Sequence, residues 1–267
     1  MKDAREDLAK ADGTVGRTLA VLDLVADFGR PVRFNDLLPL AGLPKATLYR
    51  FLQTLSNQGM LAYDDDRQTY APGLRLVRLA HAAWAQSSLA PIAAVHLDRL
   101  SVATGQTIHL AQLDQGMVLY VDKRNAARPV EMFSQSGKVG PAYCTGVGKA
   151  MLAFLDDAAL DAAIARQSFH RFTDNTLTSP EELRAELARI RARGFAWDAE
   201  EHEPGIRCLA APILSAEGRV MGALSITSAG ADAATLEPFA PLVLDTAAHI
   251  AAEASAWRFP EQKKGGA

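Results

Sequence analysis

The stretch from Asn35 to Tyr70 leaves this chain few choices of fold, because it reads as a short helix, a tight turn, a second helix and a two-stranded hairpin. Behind the turn Gly42-Leu43-Pro44, the run Lys45 to Leu55 sets Leu48, Phe51, Leu52 and Leu55 on one helical stripe. The opposite face carries Lys45, Thr47, Tyr49, Arg50, Gln53 and Thr54, side-chain types that bond phosphates and base edges. Gly59 closes this helix. Met60 to Tyr63 and Gln68 to Ala71 then alternate across the polar turn Asp64-Asp65-Asp66-Arg67, as the two strands of a wing would. Three adjacent aspartates should repel phosphates, so the tip itself is not expected in a groove and Arg67 or Gln68 is the expected contact.

The helices before the turn follow from their own signals. Thr14 to Phe28 places Val21, Leu24, Val25 and Phe28 on a buried stripe, and Gly29-Arg30-Pro31 ends it. Phe34-Asn35-Asp36 opens the next helix, with Asn35 as its expected cap and Asp36 at the positive end. Pro39 removes one amide donor from this helix, which should therefore be short or distorted.

Bulk properties narrow the class. A chain of 267 residues with 49% hydrophobic and 22% charged residues suits one large or two smaller globular domains. The formal charge of -3 does not advertise nucleic-acid binding, yet between Arg30 and Tyr63 four basic side chains stand against Asp36 alone. Cys144 and Cys208 lack metal-type spacing, and reduced thiols are expected. The charged N-terminus has no apolar core of a secretory type, and no apolar run approaches the ~20 residues of a membrane span, so a cytoplasmic protein is expected.

Downstream, Leu74 to Ser87 reads as a linker helix with Leu76, Leu79, Ala80 and Ala83 on one side. A helix from Pro91 to about Ala103 precedes strand-like runs at Thr107 to Gln112 and Met117 to Asp122. Helices at Val147 to Leu155, Asp156 to Arg166 and Pro180 to Arg193 follow, then strands at Phe195 to Asp198, Cys208 to Leu214 and Val220 to Thr227. A closing helix runs from about Leu236 to Trp257. The fold class is α+β, divided as a flexible tail 1–13, a winged helix-turn-helix domain 14–73, a linker helix 74–90, a mixed helix-and-sheet domain 91–258 and a tail 259–267.

Three blocks make the sequence similar to the IclR family of bacterial transcription regulators: Lys45-Ala46-Thr47-Leu48-Tyr49-Arg50-Phe51-Leu52, Tyr143 to Leu152, and Glu203 to Ile213. Within that family it most resembles the 2-keto-3-deoxygluconate regulators, through Thr47 to Thr54, Gln106-Thr107-Ile108-His109-Leu110 and the ending Trp257-Arg258-Phe259-Pro260. The resemblance implies a homodimer, able to form a tetramer, that binds double-stranded operator DNA. It also implies a GAF-like C-terminal domain that takes a small organic acid, a 2-keto acid or sugar acid. By that resemblance the carboxylate is held around Gly146 and Val147, with Asp198, Cys208, Ser225 and Thr227 at the polar end and Met132 and Ile206 as an apolar wall. Repression relieved by ligand is the expected sign; an activator answering an aromatic or other carboxylic acid is the alternative.

The residue types fit that chemistry, since Ser225 and Thr227 lie two apart on one strand and Asp198 could accept from ligand hydroxyls. Each also has a plainer explanation as core or ordinary strand residue. The run Glu200, Glu201, His202 and Glu203 could close over a ligand or bind metal, but such charge runs usually just face solvent. Catalysis is not expected. Gly148-Lys149 fails the phosphate-loop pattern at Tyr143 and Ala150, and Gly146-Val147-Gly148 lacks the third glycine of a dinucleotide loop. Cys144 as a nucleophile has no base that the sequence places beside it. No cofactor or metal is expected.

Overall fold

The computed structural model describes residues 11–87, 89–126, 132–230 and 233–255. Most of both expected tails and the ending Trp257 to Pro260 lie outside the described residues. The chain divides into two compact units between Ala83 and Trp84, within the helix expected as a linker.

In the first unit, α1 (Gly13–Asp27), α2 (Phe34–Ala41) and α3 (Lys45–Asn57) enclose a core with the wing strands β2 (Leu61–Asp64) and β3 (Thr69–Pro72). Val21, Leu24 and Val25 of α1 face Leu48, Phe51, Leu52 and Leu55 of α3 in that core. Each fully buried side chain contributes roughly 1.5–3 kcal/mol, so these two stripes hold the unit together. A third strand, β1 (Val32–Arg33), pairs antiparallel with β3 and was not expected, since two residues carry no readable alternation.

The start of α2 corrects the sequence expectation. Asn35 does not cap it: the helix begins at Phe34, and Asp36 reaches back to accept the Arg33 amide at 3.3 Å. The carboxylate three residues in satisfies the amide of the residue that precedes the helix, the N3-to-N-cap half of a capping box. Pro39 sits inside α2, which stays short at 8 residues and ends on Gly42 with φ of 60°. That left-handed conformation favours glycine and swings the chain into α3.

The helix α4 (Leu74–Ser87) carries the chain into the second unit. There α5 (Ala90–Thr104) leads into β4 (Thr107–Asp114), β5 (Met117–Arg124) and a short β6 (Val139–Gly140) that sequence patterning missed. After α6 (Gly146–Leu152), α7 (Asp157–Ile164) and α8 (Pro180–Arg193) come β7 (Ala196–Ala199), β8 (Ile206–Leu214) and β9 (Val220–Ala229). Among the described residues the strands form one antiparallel sheet in the order β6-β5-β4-β9-β8-β7. The expected closing helix is interrupted: α9 (Ala233–Leu236) and a 3-10 turn at Glu237–Phe239 precede α10 (Ala240–Ala254). Pro238 and Pro241 explain the break, because neither can donate to a preceding turn.

Strand period decides what each face of the sheet carries. Ile108, Leu110, Leu209, Leu224 and Ile226 pack with α5 and α10 on one side. Ala111, Ala196, Ala210 and Ala223 pack with α6, α7 and α8 on the other. The small residues on this second face let α6 approach closely, and the polar residues that alternate in step with them point the same way.

Candidate functional site

On α3, Lys45, Tyr49, Arg50, Gln53 and Thr54 are exposed and Thr47 is half-buried. Six of the seven residues named for DNA contact therefore share one outer helix face, with Arg67 on the wing. Two of the six are already engaged within the helix. The Thr54 hydroxyl donates to the Arg50 carbonyl at 2.9 Å, and the Gln53 amide lies 3.5 Å from Asn57. Tyr49 leans edge-on toward Phe34, 6.4 Å between ring centroids. An open cleft of about 520 Å³ runs between α3 and the wing, bordered by Arg33, Asn35, Tyr49, Tyr63 and Arg67. Asp64 is not a free charge at the wing tip: its carboxylate accepts the amides of Asp66 and Arg67, both at 3.0 Å. Asp64, Asp65 and Asp66 are nevertheless all exposed, so the tip presents three carboxylates to solvent.

In the second unit, Met132, Gly146, Val147, Asp198, Ile206, Cys208, Ser225 and Thr227 all border one cavity between α6 and the alanine-bearing face of the sheet. Register explains the convergence. Thr227 lies opposite Cys208, Cys208 opposite Asp198, and Ser225 opposite His109, so all project from one face. The cavity also takes in His109, Tyr120, Phe133, Ser134 and Thr145, which were not named as effector contacts, together with His202 and Glu203 of the acidic run. His109 and Glu203 fell inside quoted motifs; Ser134 and Phe133 carried no pattern. The free volume is about 30 Å³, room for a few water molecules at most.

Its electrostatics are unusual for a buried space. Asp198 is pushed up by burial, opposed by Lys149 and by amide donors at Glu201 (2.9 Å) and Gly146. His109 is forced down to about 3 by burial and by Lys123, so its ring is neutral. Beneath the cavity, the Lys149 ammonium pairs with Glu201, and the two side chains are only 1% and 9% exposed. Burial outweighs that ammonium and raises Glu201 to about 7. The Glu201 Oε2 atom finds no partner among the described residues. The acidic run is thus not a solvated loop: Glu200 pairs with Arg207 at 2.7 Å and Glu203 accepts the Phe133 amide at 3.1 Å. Cys144 is buried with its thiol pushed up by burial and by Asp198, the reverse of an activated nucleophile.

A winged helix-turn-helix unit followed by a cavity-bearing α+β unit is the plan of a ligand-responsive transcription regulator. Residues 14–65 match the IclR helix-turn-helix domain, and residues 81–252 match the bacterial transcriptional regulator IclR C-terminal domain. The chain belongs to the IclR family of DNA-binding transcription regulators. The HTH-type transcriptional regulator XynR of Escherichia coli (strain K12) is 34% identical over 215 residues, 80% of this chain and 85% of that protein. The HTH-type transcriptional regulator KdgR of the same organism is 32% identical over 226 residues, covering 84% and 86%. The crystal structure of the Thermotoga maritima IclR matches with a TM-score of 0.71 at 26% identity, over 91% of this chain and 98% of that one. Both families and these relatives are regulators of transcription, and this chain is likewise no enzyme.

Proposed function

We propose that this regulator is a repressor of genes for sugar-acid or keto-acid breakdown, released from its operator when a small organic acid enters the cavity of the second unit. The observation that carries the reading is the convergence of eight separately named residues on one buried, polar-walled space. Likeness to the 2-keto-3-deoxygluconate regulators supports the ligand class, and KdgR proteins are among the relatives. Acting as a homodimer or a tetramer in the cytosol, it would present its α3 helices to half-sites about one DNA turn (roughly 34 Å) or a multiple of it apart. Lys45, Arg50 and Arg67 would take phosphates or guanine edges, while Thr47, Tyr49, Gln53 and Thr54 complete the polar face.

Entry of an acid requires the cavity to open, since its present volume of about 30 Å³ is far below the roughly 300 Å³ of a ligand pocket. The tie between the Phe133 amide and Glu203 joins the segment after β5 to the acidic run, and its release is the natural opening step. A difference of ~1–3 kcal/mol in ligand affinity between two domain spacings is enough to switch DNA binding. Thermal shift with pyruvate, glyoxylate, 2-keto-3-deoxygluconate, other sugar acids and aromatic acids tests the reading. A ligand at a hundred times its Kd adds about 2.7 kcal/mol to a protein that binds it only when folded. Stabilisation by sugar or keto acids, with loss of a DNA gel shift, is the expected result. A response confined to aromatic acids would refute the ligand class.

A further inference from the structure

Among the described residues β7 is an edge strand, and the acidic run that follows it turns off the ladder through Glu200, whose φ is 63°. Carbonyls along that edge need donors from outside the sheet. The segment between α7 and α8 supplies them. Three consecutive carbonyls, those of Ala199, Glu200 and Glu201, each accept from one of its side chains: the Asn175 amide at 2.9 Å, the Thr173 hydroxyl at 2.7 Å and the Thr176 hydroxyl at 2.6 Å. The Thr176 oxygen also accepts the main-chain amides of Phe172 at 3.0 Å and Thr173 at 2.8 Å. A carbonyl can only accept and an amide N–H can only donate, so the sense of all three bonds at Thr176 is fixed. One buried hydroxyl thus folds its own segment and grips the acidic run.

We propose that Thr176 is a positioning residue for effector binding: its hydroxyl fixes the acidic run against the segment 170–176 and so places His202 and Glu203 at the cavity. The assignment rests on the effector reading of that cavity. Asp198, His202 and Glu203 border the space and Thr176 does not, so Thr176 acts only through the run it holds. The same segment reaches the run by a second route, since the Phe172 ring, whose amide Thr176 holds, lies 4.5 Å from the His202 ring between centroids. It is tied to the other wall as well. The Tyr143 hydroxyl donates to the His170 carbonyl at 2.6 Å, and Tyr143 leads directly to Thr145 and Gly146, which border the cavity at the start of α6.

Placement matters because a binding group must be held within about 0.5 Å of its productive position by the contacts behind it. Entry of an acid breaks the bond between the Phe133 amide and Glu203, which removes one restraint on the run at the moment when its side chains must meet the ligand. The bonds to the carbonyls of Ala199, Glu200 and Glu201 lie on the side of the run away from that opening and stay intact. They keep His202 and Glu203 within reach of whatever enters.

Two measurements on the full-length protein test the role. Without ligand, nuclear Overhauser contacts between the His202 and Phe172 ring protons should be present in wild type and Thr176→Ser and lost in Thr176→Val; contacts that survive in Thr176→Val overturn the assignment. Binding of 2-keto-3-deoxygluconate, or of whichever acid of the thermal-shift panel stabilises wild type most, is then measured by calorimetry well below the melting temperature. Valine keeps the shape and leaves the Glu201 carbonyl and two amides without their partner, whereas serine keeps the hydroxyl and drops a methyl group. The positioning role requires Thr176→Ser to bind within about threefold of wild type and Thr176→Val at least about tenfold more weakly. A residue that only fills space gives the opposite order, and one that only stabilises the fold lowers the melting temperature with affinity unchanged; either result refutes the role. Where Thr176→Val does not fold, Asn175→Ala removes an exposed donor of the same clamp and must weaken binding by at least about threefold, and unchanged affinity there overturns the proposal. A wild type that binds no acid of the panel removes the effector reading and the role of Thr176 with it. A wild type that binds an acid no more tightly than Thr176→Val does leaves the effector reading standing and removes the role alone.

Discussion

Replacing Lys149 by methionine should destabilise the second unit by about 3–5 kcal/mol at pH 7.5, because it takes one partner from a buried ion pair and leaves the other uncompensated. The pair is deep, at 1% and 9% side-chain exposure, and Lys149 also faces the buried Asp198. Methionine keeps the length of the aliphatic stem, so the loss reads charge and not volume. The loss must depend on pH. Glu201 is raised from an ordinary 4.5 to about 7 even with the ammonium beside it. A carboxyl raised in the folded state holds a proton that the unfolded chain has released, so its contribution is full below the unfolded value and is lost as pH rises through the folded one. In Lys149→Met that folded value moves higher still. Between pH 7 and 8 wild-type Glu201 has largely ionised, while the variant keeps its proton and loses about 1.4 kcal/mol for each pH unit. The gap between the two proteins should widen by up to that amount. Adding Glu201→Gln to Lys149→Met removes the carboxyl that must take up a proton in order to fold and should return more than half of the loss. The three tryptophans, Trp84, Trp197 and Trp257, all lie beyond Ala83, so tryptophan emission in a urea titration reads the second unit selectively. A loss below about 1 kcal/mol, a gap indifferent to pH, or a double variant no better than the single one would each refute the reasoning.

Further expectations follow from other particular contacts. Arg50→Ala should lower affinity for a duplex selected from a random library by more than about tenfold and flatten its salt dependence, with the melting temperature unchanged; an unaltered gel shift would remove α3 from the DNA face. Gly148→Ala should destabilise by at least about 1–3 kcal/mol in the same urea assay, because its Cβ would stand 2.4 Å from the Ala142 carbonyl oxygen, a backbone atom that cannot step aside. His109, held down to about 3, should cost stability as pH falls from 6.5, since the unfolded chain takes up a proton that the folded one refuses. Relative to His109→Asn, wild type should lose about 2–3 kcal/mol between pH 6.5 and 4.5, and parallel stability curves for the two proteins would contradict a neutral buried ring.

What could be read in the sequence follows from the range of the interactions involved. Lys45 to Leu55 was legible because a helical stripe is local: four apolar residues at helical spacing specify the buried face, and the polar face is what remains. Pro180 to Arg193 was legible for the same reason, with Ser179 capping it at 3.2 Å through the Glu182 amide and Gly194 ending it. Asn35 misled because caps compete locally, and the choice between Asn35 and Asp36 turns on where β1 releases the chain. That depends on a pairing with β3 far along the sequence.

The cavity was half legible, and the division has a physical cause. Ser225 and Thr227 announce a shared face through period two, but which residues of other strands join them is fixed by register, which no local pattern encodes. The family resemblance supplied Asp198 and Cys208; register adds His109, and the connection after β5 adds Ser134. Lys149 is the sharpest case. In sequence it is an ordinary charged residue after two glycines, and its partner lies 52 residues away in a run of acids that looks solvated. Once α6 is laid on the small residues Ala210 and Ala223, its side chain has no route to water, and Glu201 must follow it inward. The alanines that let the helix settle onto the sheet thus also impose the buried charge beneath the cavity. Stability of this unit and the state of its ligand site are coupled through one contact, so variants of Lys149 or Glu201 should disturb effector affinity together with folding, whereas variants of Ser225, which bears on the cavity alone, should change affinity with little effect on the urea midpoint.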